Sequence, residues 1–265
     1  MVPAKDLSTS ISWKSNLSGR RLSRRVPSLT LLLLAVALAG CSSAAKPAAG
    51  PQPATRLTAT LVATDMKLQW QGGEPDAAGR VVEFASEPDG QYTVLEFVAP
   101  QQTTYTHPDV MPDTTFYYRV RPYFGPASAA VQLELPQGPF DENAQQDDNE
   151  WAAPRTVAHG SVATQPIRNS HSAAAAVPTD LAVAVVHANG VKLTWTDHAS
   201  DEEGYLVEVK PAGSADFHVA AVVDPDINSF GLVTLPNEKA ASFRVRAFYY
   251  GNSSNVAHQK TGPQR

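Results

Sequence analysis

The sequence has little of what metal-binding, disulfide-stabilised or catalytic proteins need. One cysteine, Cys41, occurs in 265 residues, so no internal disulfide forms and packing alone must hold the fold. The seven histidines lie at positions 107, 159, 171, 187, 198, 218 and 258, none paired at metal-ligand spacing. No phosphate loop, zinc motif or nucleophile elbow occurs. These absences predict a protein that is not an enzyme and holds no metal.

A helical period and a long apolar run are also missing. The longest apolar stretch is Leu29–Ala39, interrupted only by Thr30, and it is shorter than the roughly 18–20 residues of a membrane span. Six basic residues precede it, so residues 1–40 have the layout of a secretory signal peptide. The rest of the chain has 15 basic and 25 acidic residues. This negative charge repels phosphate backbones, which disfavours nucleic acid as a partner.

The apolar stretch ends in Leu38-Ala39-Gly40-Cys41, which resembles the lipoprotein box of bacterial lipoproteins. The resemblance implies removal of residues 1–40 and covalent lipid on Cys41: diacylglycerol on the thiol and a fatty acid such as palmitate on the new amine. Two or more acyl chains make stable membrane anchoring possible. Ser42 replaces the aspartate that commonly retains such proteins in the inner membrane, which favours the outer membrane. Residues 41–52 then form a lipid-anchored tether. An ordinary secretory signal that contains a cysteine is the alternative.

The remaining chain is a tandem repeat with a constant offset of 125 residues. Trp70 matches Trp195, Glu83 matches Glu208, and Arg119-Val120-Arg121 matches Arg244-Val245-Arg246. The repeat predicts one module over 53–135 and a second over 178–260, followed by a tail over 261–265. Between them, residues 136–177 are polar and acidic or alanine-rich, and they predict a disordered, flexible linker. Phe140 and Trp151 are its large apolar residues and could dock onto a module or bind a partner.

Period-two alternation dominates both modules, as in Met66–Trp70 and Val191–Trp195. Turn residues separate these short runs, which predicts an all-β fold of two tandem seven-stranded antiparallel β-sandwiches. The predicted structural core comprises Trp70, Phe116, Tyr118, Val120, Trp195, Phe243 and Val245.

The order Leu68-x-Trp70, Val82-Glu83 and Val110-x-Pro112-x-Thr114-x-Phe116-x-Tyr118 resembles a fibronectin type III domain. The resemblance implies the sandwich fold but indicates almost nothing about function. The family usually has a tyrosine where the two modules have Phe116 and Ala241. The corner hydrogen bond of the family is therefore absent, and the strand after Ala241 also loses ring packing.

Two surface features are candidates for binding. Tyr123-Phe124 and Tyr249-Tyr250 end equivalent strands, and alternation turns about half of these rings outward, so they form a candidate recognition edge. Packing of the rings at the strand ends is the alternative. The loop Asp197–Glu203 could supply oxygen ligands for calcium, but a solvated acidic loop accounts for it better.

Together these features predict a lipid-anchored protein of the cell envelope, with the outer membrane as its location. Its modules would bind or bridge envelope or surface proteins without catalysis. The alternative is a glycan-binding accessory protein that recognises peptidoglycan or a surface polysaccharide.

Overall fold

The computed structural model describes residues 55–136, 150–158, 160 and 162–263. The predicted signal peptide, Cys41, the tether and Phe140 lie outside these residues. The first module contributes seven strands: β1 (Thr55–Val62), β2 (Asp65–Gly72), β3 (Gly79–Ala85), β4 (Thr93–Val98), β5 (Thr104–His107), β6 (Thr115–Phe124) and β7 (Val131–Glu134). The second contributes β8 (Thr179–His187), β9 (Gly190–Thr196), β10 (Gly204–Pro211), β11 (His218–Val223), β12 (Ser229–Val233), β13 (Ala240–Tyr250) and β14 (Ala257–Lys260).

These strands form three antiparallel sheets. β1-β2-β5 and β12-β9-β8 are three-stranded, and the remaining eight strands belong to one sheet that runs through both modules. Its order is β11-β10-β13-β6-β3-β4, with β7 added on β13 and β14 added on β6. Short 3-10 helices span Glu150–Ala152, Ala173–Ala176 and Pro236–Glu238, and the described residues contain no α-helix. The predicted all-β class is confirmed.

Each three-stranded sheet packs on its half of the large sheet and encloses a core. Alternation explains the cores, because successive side chains of a strand point to opposite faces. Trp70 and Trp195 lie at equivalent core positions and are 1% and 0% exposed. All seven residues predicted for the core are buried: Trp70, Phe116, Tyr118, Val120, Trp195, Phe243 and Val245. Burying a large apolar side chain stabilises a fold by about 1.5–3 kcal/mol, so each of these side chains contributes to the stability of its module.

The two modules exchange their last strands. After β6 the chain does not turn back along its own sheet but continues beside β13, where Val131–Glu134 pairs with Phe243–Ala240. After β13 it continues beside β6, where Ala257–Lys260 pairs with Tyr118–Thr115. Each seven-stranded sandwich is therefore completed by the other module. The predicted modules, 53–135 and 178–260, are continuous segments of the chain. Each sandwich in the structure instead includes the last strand of the other segment.

Two serines form hydrogen bonds between each exchanged segment and the module that it joins. The Ser128 N–H donates to the Val245 carbonyl at 2.8 Å, and the Val245 N–H donates to Ser128 Oγ at 3.1 Å. Ser254 makes the reciprocal pair with Val120, at 2.8 and 3.0 Å. Both pairs satisfy buried backbone groups that would otherwise be left without partners. The reciprocity indicates that the exchange is specified in both halves of the chain.

The exchange also fills the corner position of the second module. Ala241 stands where the family resemblance implies an aromatic ring, and Leu133 of β7 lies directly opposite it in the ladder. Leu133 packs against the second core, and Leu135 beyond it is 1% exposed in the same core. In the first module Phe116 fills the equivalent position with its own ring, which is 2% exposed.

The linker differs from the prediction of flexible coil wherever the structure describes it. Trp151 packs on the outer face of the second module's three-stranded sheet, over Gly190 and Gly231. A Cβ at either glycine would come within 2.7 Å of the Trp151 ring, so only glycine leaves room for it. The His187 ring lies nearly perpendicular to the indole, with 5.3 Å between the two ring centroids. Of the two predicted docking residues, Trp151 thus docks on a module.

The rest of the described linker lines the second module. The Arg155 N–H donates to the Ser229 carbonyl at 2.9 Å and so adds a short bridge to the edge of β12. Ile167 and Ala176 are 3% and 0% exposed and belong to the second core, and the Ile167 N–H donates to Asp201 Oδ1 at 2.6 Å. Periodicity misses such a segment because it enters the core one residue at a time.

Candidate binding surface between the two modules

The predicted recognition edge lies at the junction of the modules. β6 and β13 pair there, with Phe124 opposite Tyr249 and Tyr123 opposite Tyr250. The Phe124 and Tyr249 rings stack at 5.4 Å, and Tyr123 is only 4% exposed. Burial raises the pKa of both Tyr123 and Tyr250 to about 12. The expectation of an outward-facing edge is therefore corrected for Tyr123, because the second module covers the ring that an isolated sandwich would expose.

A third apolar cluster fills the junction. Tyr123, Leu206 and Phe248 are its buried members, and Phe97 and Val219 pack against them from the strands at the two ends of the large sheet. Phe97 meets the Tyr123 ring edge-on at 5.7 Å. These side chains point away from both module cores, so the cluster belongs to the pair of modules and to neither one alone.

Two equivalent ion-pair ladders border this cluster. In the first module Glu83 accepts hydrogen bonds from Arg119 and Arg121, each with a shortest distance of 2.7 Å. In the second module Glu208 accepts them from Arg244 and from Arg246, the latter at 3.0 Å. Both carboxylates are only 3% exposed. Because a buried carboxylate is costly unless it is paired, each Glu depends on its two arginines.

One arginine of each ladder reaches across to the other module. Arg246 Nη1 donates to the Gly125 carbonyl at 2.7 Å. Arg121 lies 3.9 Å above the centre of the Tyr250 ring. Gly125 and Tyr250 are themselves related by the repeat offset. The two halves of the junction are therefore approximately related by two-fold symmetry. The equivalent arginines differ in their contacts, because Arg246 makes a hydrogen bond and Arg121 makes a cation–π contact.

A groove of about 690 Å³ opens where the ends of the large sheet approach each other. Cα atoms of β4 and β11 come within 8 Å, although the two strands are not hydrogen-bonded as neighbours. One wall carries Glu96, Phe97 and Tyr105, and the other carries Asp216 and Phe217. Burial raises the pKa of Tyr105, and the neighbouring charge of Glu96 adds to this effect. The volume lies in the range of ordinary ligand pockets. No pattern in the sequence predicted this groove.

The acidic loop of the second module has a structural function. Carboxylate oxygens of Asp197, Glu202 and Asp226 lie within 4.8 Å of one another. The buried Tyr205 hydroxyl donates to Asp197, which also accepts the Ala199 N–H at 2.8 Å. Burial raises the pKa of Glu202, and the neighbouring charges of Asp197 and Asp226 add to this effect. Asp197 therefore orders the loop, and the proximity of the three carboxylates alone assigns no ion to it.

The described part of the chain contains no helix with the length and apolar character of a membrane crossing. Cys41, the predicted lipid attachment residue, lies outside the described residues and stays a prediction.

No family model and no curated protein matches this chain. Among solved structures, the FN1–FN3 domains of chicken CNTN1 are 18% identical, covering 80% of this chain and 67% of theirs with a TM-score of 0.25. A segment of two fibronectin type III domains from chicken tenascin is 13% identical, covering 77% and 97% with a TM-score of 0.24.

Pectate lyase PelI of Erwinia chrysanthemi, solved with tetragalacturonic acid, is 15% identical with a TM-score of 0.26. Only 26% of this chain and 23% of the lyase are covered. At these scores none of the three carries an argument about function. Strand order and cores instead define the architecture, in which a three-stranded sheet faces a four-stranded half-sheet in each module. The chain contains two seven-stranded antiparallel β-sandwiches that exchange their last strands.

Proposed function

We propose that this chain is a lipid-anchored, non-catalytic protein of the bacterial cell envelope, located at the outer membrane. Its paired modules act as a platform that binds or bridges other envelope proteins. The covalent lipid on Cys41 is its only prosthetic group in this proposal. Support for the anchor comes from the sequence alone: a basic segment, a short apolar run and Cys41 at the end of that run.

The observation that carries the binding role is the shared eight-stranded sheet. Two modules on a flexible linker would lose orientational freedom when they bind one partner together. Here the exchanged strands, the third apolar cluster and the two ion-pair ladders fix the modules before any partner arrives. A preorganised surface of this kind costs less entropy on binding, which suits a protein that holds others in a defined arrangement.

The anchor is tested by labelling cells with an alkyne analogue of palmitate and fractionating the envelope. The natural chain should carry the label and follow the outer membrane, and Cys41→Ser should lose both the label and the membrane association. A labelled Cys41→Ser chain would remove the anchor from the proposal.

The binding role is tested with the chain from Ser42 to Arg265 as bait, which contains every described residue. Detergent-extracted envelope and insoluble cell-wall glycan are offered in parallel. Retention of one protein at near-equal stoichiometry supports the proposal. Retention on glycan alone supports the alternative role of a glycan-binding accessory protein, which the half-exposed Phe97 and Tyr105 rings of the groove favour because sugar rings stack on such faces.

A further inference from the structure

We propose that the groove between β4 and β11 binds a lysine or arginine side chain of a partner polypeptide, in a segment that is basic overall. This inference rests on the proposed role in protein binding and names the chemistry of the partner. Both modules contribute walls to the groove, so the site exists only while they are docked together.

The charges in the groove select a cation. Glu96 and Asp216 are exposed on opposite walls, and neither forms an ion pair with any side chain in the described ranges. Glu96 accepts a hydrogen bond from the N–H of Phe97 at 3.0 Å, which fixes its carboxylate at the groove. Two carboxylates without cationic partners attract a positive side chain and repel an acidic one.

Both basic side chains that line the groove, Arg244 and His218, are already engaged. Arg244 binds the buried Glu208 and lies 3.9 Å above the Phe217 ring. The imidazole of His218 contacts Glu238 at 2.8 Å. Neither is available for an anionic ligand, so these lining groups do not reverse the negative character of the groove.

Aromatic rings in the groove would also recognise the apolar stem of a basic side chain. Phe97 and Tyr105 are half-buried on the wall that carries Glu96. A ring face attracts a cation, and the methylene stem of a lysine or arginine packs on an apolar surface while its charged head reaches a carboxylate. A groove with ring faces and carboxylates thus matches both parts of one long basic side chain.

The test measures fluorescence anisotropy of a fluorescein-labelled nonapeptide of alternating lysine and serine. The chain from Ser42 to Arg265 is titrated into the peptide, and a peptide with glutamate in place of lysine serves as its counterpart. The groove variant is Glu96→Gln with Asp216→Asn. The matched control is Glu87→Gln with Asp113→Asn, which removes the same charge from exposed positions outside the groove lining.

We expect the lysine peptide to bind and the glutamate peptide not to bind. The groove variant should bind the lysine peptide at least about tenfold more weakly, and the control should stay within about twofold of the natural chain. Equal thermal midpoints of the natural chain and both variants would show that the fold is intact.

Equal weakening in both variants would overturn the proposal, because net charge would then explain the binding. No binding of the lysine peptide, or its displacement by chitohexaose, a neutral glycan, would also overturn it. The envelope capture is repeated with the groove variant as bait. If the natural chain and the variant capture the same protein equally, the groove proposal fails and the binding role stands; if the natural chain captures nothing, the role itself fails.

Discussion

The strand exchange predicts which engineered cysteines will cross-link. Tyr117 of β6 lies directly opposite His258 of β14, and their rings are 5.9 Å apart. Opposed residues of an antiparallel pair have Cβ atoms about 4.5–5.5 Å apart, near the separation that a disulfide bridges. In the chain from Ser42 to Arg265, which lacks Cys41, we expect Tyr117→Cys with His258→Cys to form an intramolecular disulfide.

The size of the effect follows from the chain that the disulfide closes. Positions 117 and 258 are about 140 residues apart, which limits the entropic stabilisation to about 5 kcal/mol. For a protein of this size each kcal/mol raises the melting temperature by about 2–4 °C, so the oxidised chain should melt up to about 10–20 °C above the reduced chain. Gel mobility without reductant and peptide mass analysis identify the bond, and calorimetry with and without reductant measures the shift.

The competing arrangement has its own cysteine pair. If each module kept its last strand, His258 would lie opposite Ser242, the repeat equivalent of Tyr117. The structure instead places Ser242 opposite Gln132 of β7. Formation of a monomeric Ser242→Cys/His258→Cys disulfide, with no bond between positions 117 and 258, would refute the exchange. A 117–258 bond found only in dimers would mean that the strands exchange between chains.

Three further predictions follow from individual contacts. Ser254→Ala leaves the buried Val120 N–H without an acceptor, so we expect a loss of about 1–3 kcal/mol and faster hydrogen exchange over 115–124 in the first module; unchanged exchange there would contradict the bond. Trp151→Ala removes the ring that seats the linker, so trypsin should cleave faster after Arg155, and an unchanged rate would argue against the docking. Burial lowers the pKa of His107, so the unfolded chain binds its proton at higher pH than the folded chain; stability should fall as pH drops through about 6.5, and His107→Gln should reduce this slope in urea unfolding between pH 5 and 8.

The strands and cores were predictable because each depends on a few neighbouring residues. One buried face imposes period-two alternation, which identified Met66–Trp70 within β2 and placed Trp70 and Trp195 in the cores. Each strand pattern recurs at the repeat offset, so two copies of the sequence indicate the same strand.

The exchange was not predictable because alternation specifies a strand and not its partner. Val131–Glu134 has the same pattern whether it pairs with β6 or with β13. The outcome depends on the chain path at Gly125-Pro126, and a Gly-Pro pair ordinarily indicates a turn. In the structure Gly125 has φ of +126°, and a Cβ there would lie 2.0 Å from the Ala247 carbonyl oxygen of the other module. Glycine is needed here because the backbones of the two modules approach closely. The sequence alone cannot distinguish this requirement from that of a turn.

The binding surface depended on contacts between distant segments. Tyr123 ends a strand in a recognisable aromatic pattern, but its burial is caused by the opposite module, which lies outside any local pattern. Glu96 and Asp216 share no motif and line one groove only because the large sheet brings its two end strands together. One sequence pattern did indicate part of this surface. Glu83 and Glu208 are related by the repeat offset, as are their arginines, and such a repeated set of charges predicts the same ion pairs in both modules.

The exchange also determines how the protein would respond to a proteolytic cut. The peptide chain between residues 136 and 150 connects the modules covalently, yet β7 and β14 each complete the other module's sheet on either side of that connection. Cleavage there would give two fragments that remain associated through both exchanged strands and the apolar junction. With the lipid proposed for Cys41 on the first fragment, the second would stay at the membrane without a covalent bond to it. Retention of the second module at the membrane would then depend on the free energy of unfolding of the shared sheet. Denaturant would release this module, whereas cleavage of the chain alone would not.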